Sequence, residues 1–270
     1  MTKIFVVLLL AIPFTAVPLS AQTYGLPGSQ SADPIGYYIN QSFWSNKAFQ
    51  TAMNNSMRVG GRGKSTAKAV PAGATGATSF RQSGYILPKT LAAMNGGDTK
   101  AVAETSQLVT KMLDLYRQTA AKDGFPANDL AYAFEYFVVN NYQVYNYLLD
   151  INGDPAIARI DDPLARLQAV KVKEQMKVTL TQERVIYDQF RRMLSENAEV
   201  KKMTDVDKQQ AAELLAVMTG MAYFQFSQGS QSKSEVQLEK GRQTARTNLE
   251  KLAAGVSAER IRITNNGLEF

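Results

Sequence analysis

The 270-residue chain reads as an all-α protein, a bundle of about six helices behind a flexible N-terminal arm. Three observations predict this. Asn128 to Asp150 (NDLAYAFEYFVVNNYQVYNYLLD) is apolar around most of a helix of 3.6 residues per turn, so it needs neighbours on several sides. Segments on both sides of it repeat apolar residues at three- and four-residue spacing. Ten-residue alternating segments do not recur, which argues against an outer-membrane barrel.

The elements follow in order. Residues 1–21 read as a signal peptide: Lys3 opens it, Ile4 to Ile12 is the apolar run, and Ala21 precedes the cut. Pro13 and Pro18 interrupt that run before it reaches a membrane span, and no other stretch of the mature chain is a better candidate. The protein is therefore expected to be exported, periplasmic or secreted. Residues 22–87 form a basic, largely flexible arm. Within it, Trp44 stands among Tyr37, Tyr38, Phe43 and Phe49, in a segment that Ser45 could cap as a short helix. Gly60 to Thr78 is too poor in apolar surface to offset its ordering entropy.

The bundle is expected over residues 88–254. Pro88 to Met94 gives a turn of helix, and Asp98 caps an amphipathic helix to about Lys122. Asp123-Gly124 ends that helix, and Pro126 precedes the aromatic one. Asp162-Pro163 starts a helix with Leu164, Leu167 and Val170, and Gln182 to Leu194 gives another. Thr204 with Asp207 resembles a capping box for a helix to about Phe226, and Gly220 within it predicts a close helix crossing. Ser234 to Leu252 is the last long helix, with Arg246 and Glu250 paired on its surface and Gly255 as its stop. Residues 255–270 form a tail with an extended IRIT piece and an Asn-Gly turn.

Composition excludes more than it names. The chain has no cysteine, hence no disulfide, thiolate metal site or lipid-modified cysteine. It has no histidine either, which removes Ser-His-Asp and Cys-His catalysis and histidine-ligated zinc. An enzyme would have to work with carboxylates, lysines, tyrosines or a bound ion. The formal charge of +6 is localised: residues 34–97 carry seven cations and no carboxylate, whereas residues 98–270 carry 22 cations and 23 carboxylates.

The most specific local pattern is the loop DINGDPAIARID, residues 150–161. It resembles the calcium loop of EF-hand and dockerin domains, with Asp150, Asn152, Asp154 and Asp161 at positions 1, 3, 5 and 12. It departs at position 6, where Pro155 replaces the glycine of the sharp turn, and at 12, where Asp shortens the reach of Glu. The competing reading is a polar connection between helices, with proline opening the next segment.

Glu135 stands among aromatic residues but shares a stripe with Asn128, Gln143, Asn146 and Asp150, so it is expected to face solvent or pair with a cation. Asn141 lies in the apolar face and reads as a core amide bonded to a neighbouring backbone group. The tyrosines at 132, 136, 142, 145 and 147 read as core rather than pocket. Gly63-Lys64-Ser65 resembles the end of a phosphate-binding loop, but Arg58 stands where the first glycine belongs.

Three stretches, NNYQVYN (140–146), MTDVDKQQAAELLAVM (203–218) and AERIRITNNGLEF (258–270), resemble a family of exported bacterial helical proteins without assigned function. The resemblance covers less than half of the chain and brings no catalytic motif. The reading that follows is an exported, non-catalytic envelope or extracellular interaction protein. Its basic arm or bundle surface would contact an anionic envelope polymer or a protein; charge spread this thinly disfavours nucleic acid. The alternatives are a calcium-assisted binding module using the 150–161 loop and a carboxylate-dependent hydrolase of envelope polymer.

Overall fold

The computed structural model describes residues 76–82, 84–94, 99–253 and 255–270. The expected signal peptide, the Trp44 segment, the Gly63-Lys64-Ser65 run and the cap at Asp98 lie outside the described residues. The helices are α1 (Leu87–Met94), α2 (Thr99–Asp123), α3 (Leu130–Tyr145), α4 (Pro155–Ala158), α5 (Pro163–Gln175), α6 (Leu180–Glu196), α7 (Ala198–Lys202), α8 (Asp205–Ser232) and α9 (Glu235–Leu252). A hairpin of β1 (Arg262–Thr264) and β2 (Gly267–Glu269) ends the chain. The all-α bundle is present.

The aromatic helix α3 is its centre. Every residue of α3 except Asn140 and Gln143 is buried. α8 and α9 pack along it, α6 covers another side, and Phe134 stacks on Phe190 of α6 at 5.4 Å between ring centroids. Tyr116 of α2 closes the remaining side, 5.1 Å from both Tyr132 and Tyr136. The helix starts at the cap Asp129, whose carboxylate accepts the Ala131 N–H at 2.8 Å. It ends short of the expected Asp150. Tyr147 turns into the left-handed region at φ 57°, and the Leu148 N–H closes back on the Gln143 carbonyl at 2.8 Å. Tyr147, Leu148 and Ile151 are nevertheless buried, so the apolar pattern continues through a turn that is no longer helical.

Small residues set the closest approaches. Thr204 and Asp207 form the expected capping box at the start of α8, and Ser234 caps α9. Lys233 at φ 53° reverses the chain between them. A Cβ on Gly241 would lie 2.6 Å from the backbone nitrogen of Phe226, and one on Gly229 would strike the backbone of Leu238. The crossing expected at Gly220 is also present, its neighbour being the Met112 side chain of α2 at 2.7 Å.

Asn141, fully buried, does what a core amide is expected to do. It donates to the Phe137 carbonyl at 2.7 Å and accepts from the Asn248 side chain at 2.9 Å. Asn248 also reaches the Met218 carbonyl at 3.3 Å, so the two amides join α3, α8 and α9.

Both ends of the described body are fastened to it. The packed body is already present at residue 78, ahead of the expected boundary at 88. Thr78 and Leu130 share a backbone hydrogen bond of 3.0 Å, Phe80 and Asn128 one of 3.1 Å, and Phe80 and Leu87 are buried. A few apolar residues without a period left no helical signal there. At the other end, the tail holds the expected extended piece and turn, and the side chain of Gln189 on α6 fastens it. That amide donates to the Leu268 carbonyl at 3.1 Å and accepts the Leu268 N–H at 2.8 Å, as a neighbouring strand would. Among the described residues, no helix is long and apolar enough to cross a membrane.

Candidate functional site

In the 150–161 loop, the two better-placed carboxylates are engaged with protein groups. Asp150 accepts the Gly153 N–H at 3.0 Å and the Ser230 hydroxyl at 2.5 Å. Asp154, buried, caps α4 through the Ala156 N–H at 2.9 Å and pairs with Lys173 of α5 at 3.0 Å. Pro155 is the first residue of α4, a position where its missing N–H costs nothing. Asn152 and Asp161 are exposed. Among the described residues, no three carboxylates gather as a metal site requires. The Lys173 ammonium also donates to the Asn146 carbonyl at 2.8 Å, so one positive charge serves both Asp154 and the C-terminal end of α3.

Glu135 corrects its expected placement. It is 3% exposed and pairs with no cation among the described residues. The polar stripe of α3 is not a solvent face, because α2 and α6 close over its middle. Burial pushes the Glu135 carboxyl well above the ordinary carboxylate range, and the nearby Glu183 and Asp123 push it further. Glu183, at the start of α6, is raised to about 7 by burial and then by Asp123, against the opposing charge of Lys122. Around them stand Tyr116, Phe125, Tyr132, Tyr136 and Tyr187, with Phe125 stacked on Tyr132 at 5.1 Å. Tyr132 and Tyr136, with Tyr142, Tyr145 and Tyr147, are core as expected, while Phe125 and Tyr187 are half-buried. The signal that could have revealed Glu135 was the tyrosine on both sides of it, at 132 and 136.

A groove of about 610 Å³, open to solvent, runs along α9 between Val236 and Asn248. Glu239 at its edge is held below the usual carboxylate range, chiefly by hydrogen bonds from Arg242. Glu135 is not among its walls.

The most unusual surface is α5. None of its residues is buried, and Leu164 (71%), Leu167 (50%) and Val172 (58%) are exposed. The helix turns its small side towards the body. Ala165, Ala169 and Val170 are half-buried, and Lys173 is held by Asp154. At 100° per residue, Leu164, Leu167, Lys171 and Val172 occupy less than half of the circumference, on the opposite side. Leu164 and Leu167, expected within the bundle, are instead its largest outward apolar side chains on this helix.

No curated protein and no solved structure matches the chain. A family of unknown function, DUF6683, matches residues 3–159 and 168–270, nearly the whole length and all but the opening turn of α5. The chain belongs to the DUF6683 family.

Proposed function

We propose that this protein is an exported, non-catalytic interaction module of the cell envelope or extracellular space. The outer face of α5 is its contact surface, and the basic arm is a second contact for an anionic polymer or a protein. The exposed leucines of α5 carry this reading. Covering one such side chain is worth about 1.5–3 kcal/mol, so a helix that shows two leucines and a valine to water has much to gain from a partner. The composition supports binding over catalysis, since the side chains most used for acid–base and nucleophilic work at neutral pH are missing.

Co-sedimentation with cell-envelope fractions tests the proposal. Leu164→Asp/Leu167→Asp is expected to lose binding at unchanged melting temperature. Deleting residues 22–75 is expected to remove only the salt-sensitive part. Wild-type binding by both variants would refute the proposal. A calcium-assisted contact through Asp150, Asn152, Asp154 and Asp161 is the second reading, resting on the sequence pattern of the 150–161 loop alone.

A further inference from the structure

The junction of α2, α3 and α6 buries a tyrosine hydroxyl without a hydrogen bond beside a carboxyl that no cation pairs among the described residues. The Tyr132 hydroxyl is inaccessible and makes no hydrogen bond. Glu135, three residues along the same helix, is 97% buried, and the charges acting on it are the carboxylates of Glu183 and Asp123. From α3 itself, Tyr132 and Tyr136 face this place. From α2 come Tyr116 and Asp123, with Arg117 and Lys122 beside them. From α6 come Glu183 and Tyr187, with Arg184. Asp129 takes the Tyr187 hydroxyl at 3.4 Å, and Tyr223 of α8 lies beyond Tyr136.

None of these cations pairs with Glu135, and the Nε–H of Arg117 is itself buried without a partner. Arg117 lies over the Tyr85 ring at 4.0 Å, Lys122 acts on Glu183, and Arg184 reaches towards Gly124. An ionised carboxylate in such a place would be almost stripped of water and would have no counter-charge. A neutral carboxylic acid needs no counter-charge, and its O–H can pair with a tyrosine hydroxyl or a buried water.

We propose that Glu135 holds a proton in the folded protein, and that losing it at alkaline pH loosens this junction and releases the first turns of α6 from the ring cluster. Glu183 and Glu135 then act in sequence. Both bind a proton more tightly folded than unfolded, so the stability linked to them is full below the ordinary carboxylate range and is lost as pH rises. The first loss accompanies Glu183 on the way to about 7, and the second, from Glu135, continues above it.

Thermal melting of the full chain from about pH 5 to about pH 9 tests this, with Glu135→Gln and Glu183→Gln beside the wild type. The wild type is expected to lose several degrees across the range. Glu135→Gln should keep most of its melting temperature at the alkaline end, and Glu183→Gln should flatten the first part only. Amide exchange over residues 180–187 should accelerate with pH in the wild type and not in Glu135→Gln. A Glu135→Gln variant with the wild-type slope would overturn the proposal. Should that variant not fold, infrared difference spectra of the wild type decide. A neutral carboxyl C=O band at neutral pH that disappears on alkaline titration supports the proposal; no such band overturns it.

Discussion

The carboxylate of Glu213, in the third turn of α8, accepts the backbone N–H of Leu87 at 2.7 Å and that of Ile86 at 2.9 Å. It therefore binds the N-terminal end of α1 from a helix more than a hundred residues later in the chain, and Gln209 holds its other oxygen at 2.7 Å. Helix N-termini favour such an anion, because their first N–H groups have no partner within the helix.

Removing that acceptor leaves two donors without a partner in a part-buried place. Glu213→Ala is expected to cost about 1–3 kcal/mol in urea unfolding, with faster amide exchange at residues 86 and 87. Glu213→Gln, which keeps one acceptor oxygen, should fall between. An unchanged midpoint in Glu213→Ala would mean that α1 is held by Leu87 alone.

Asn141 and Asn248 form a pair that can be tested by deleting both members. Asn141→Leu takes away the shorter of the two acceptors of the Asn248 amide, leaving only the 3.3 Å contact to the Met218 carbonyl, and is expected to cost about 2 kcal/mol. Asn141→Leu/Asn248→Leu should recover part of that loss, because no buried donor is then left unpaired. Additive losses, measured by denaturant unfolding, would show that the pair is not coupled.

The glycines separate two kinds of close contact. Gly241→Ala drives a methyl group into the backbone of α8 at Phe226, which cannot move aside, and is expected to cost about 1–3 kcal/mol. Gly220→Ala meets the Met112 side chain, whose outer atoms can shift but whose Cβ at 2.9 Å is fixed to α2. A helix-propensity gain of about 1 kcal/mol offsets part of that clash, so the cost should be smaller than that of Gly241→Ala. Calorimetric melting of the two variants checks the order.

These glycines also show what could be read from the residues. Gly220, the Thr204–Asp207 box, the Ser234 cap and the Arg246–Glu250 pair, observed at 2.8 Å, were legible because each depends on residues within one turn or on backbone shape. Glu135 and Leu164 were not. A helical wheel shows which residues of one helix share a face, but it does not show which faces other helices cover. The polar stripe of α3 is closed in by α2 and α6, and among the described residues no helix lies over the leucines of α5. The 150–161 loop was ambiguous for another reason. Aspartates at alternate positions suit a cap and an ion pair as well as a calcium shell, and Lys173, which takes Asp154, lies in a different helix.

That loop yields a direct prediction. With Asp154 taken by Lys173 and Asp150 by Ser230, millimolar calcium should leave the melting temperature unchanged. Asp154→Ala is expected to cost about 1–3 kcal/mol whether or not calcium is present, because it removes a cap and leaves Lys173 without its partner. A calcium-dependent rise in the wild type that disappears in Asp154→Ala would establish the calcium-assisted module instead.

The outward leucines of α5 are best tested with a photo-crosslinking residue at position 164 in the full chain, illuminated in the cells that make it. A parallel experiment at Leu115, an exposed leucine of α2, serves as the control. A discrete adduct from position 164 and none from position 115, reduced by Leu167→Asp, is the predicted result. Equal labelling at both positions, or none at 164, would contradict a contact surface on α5.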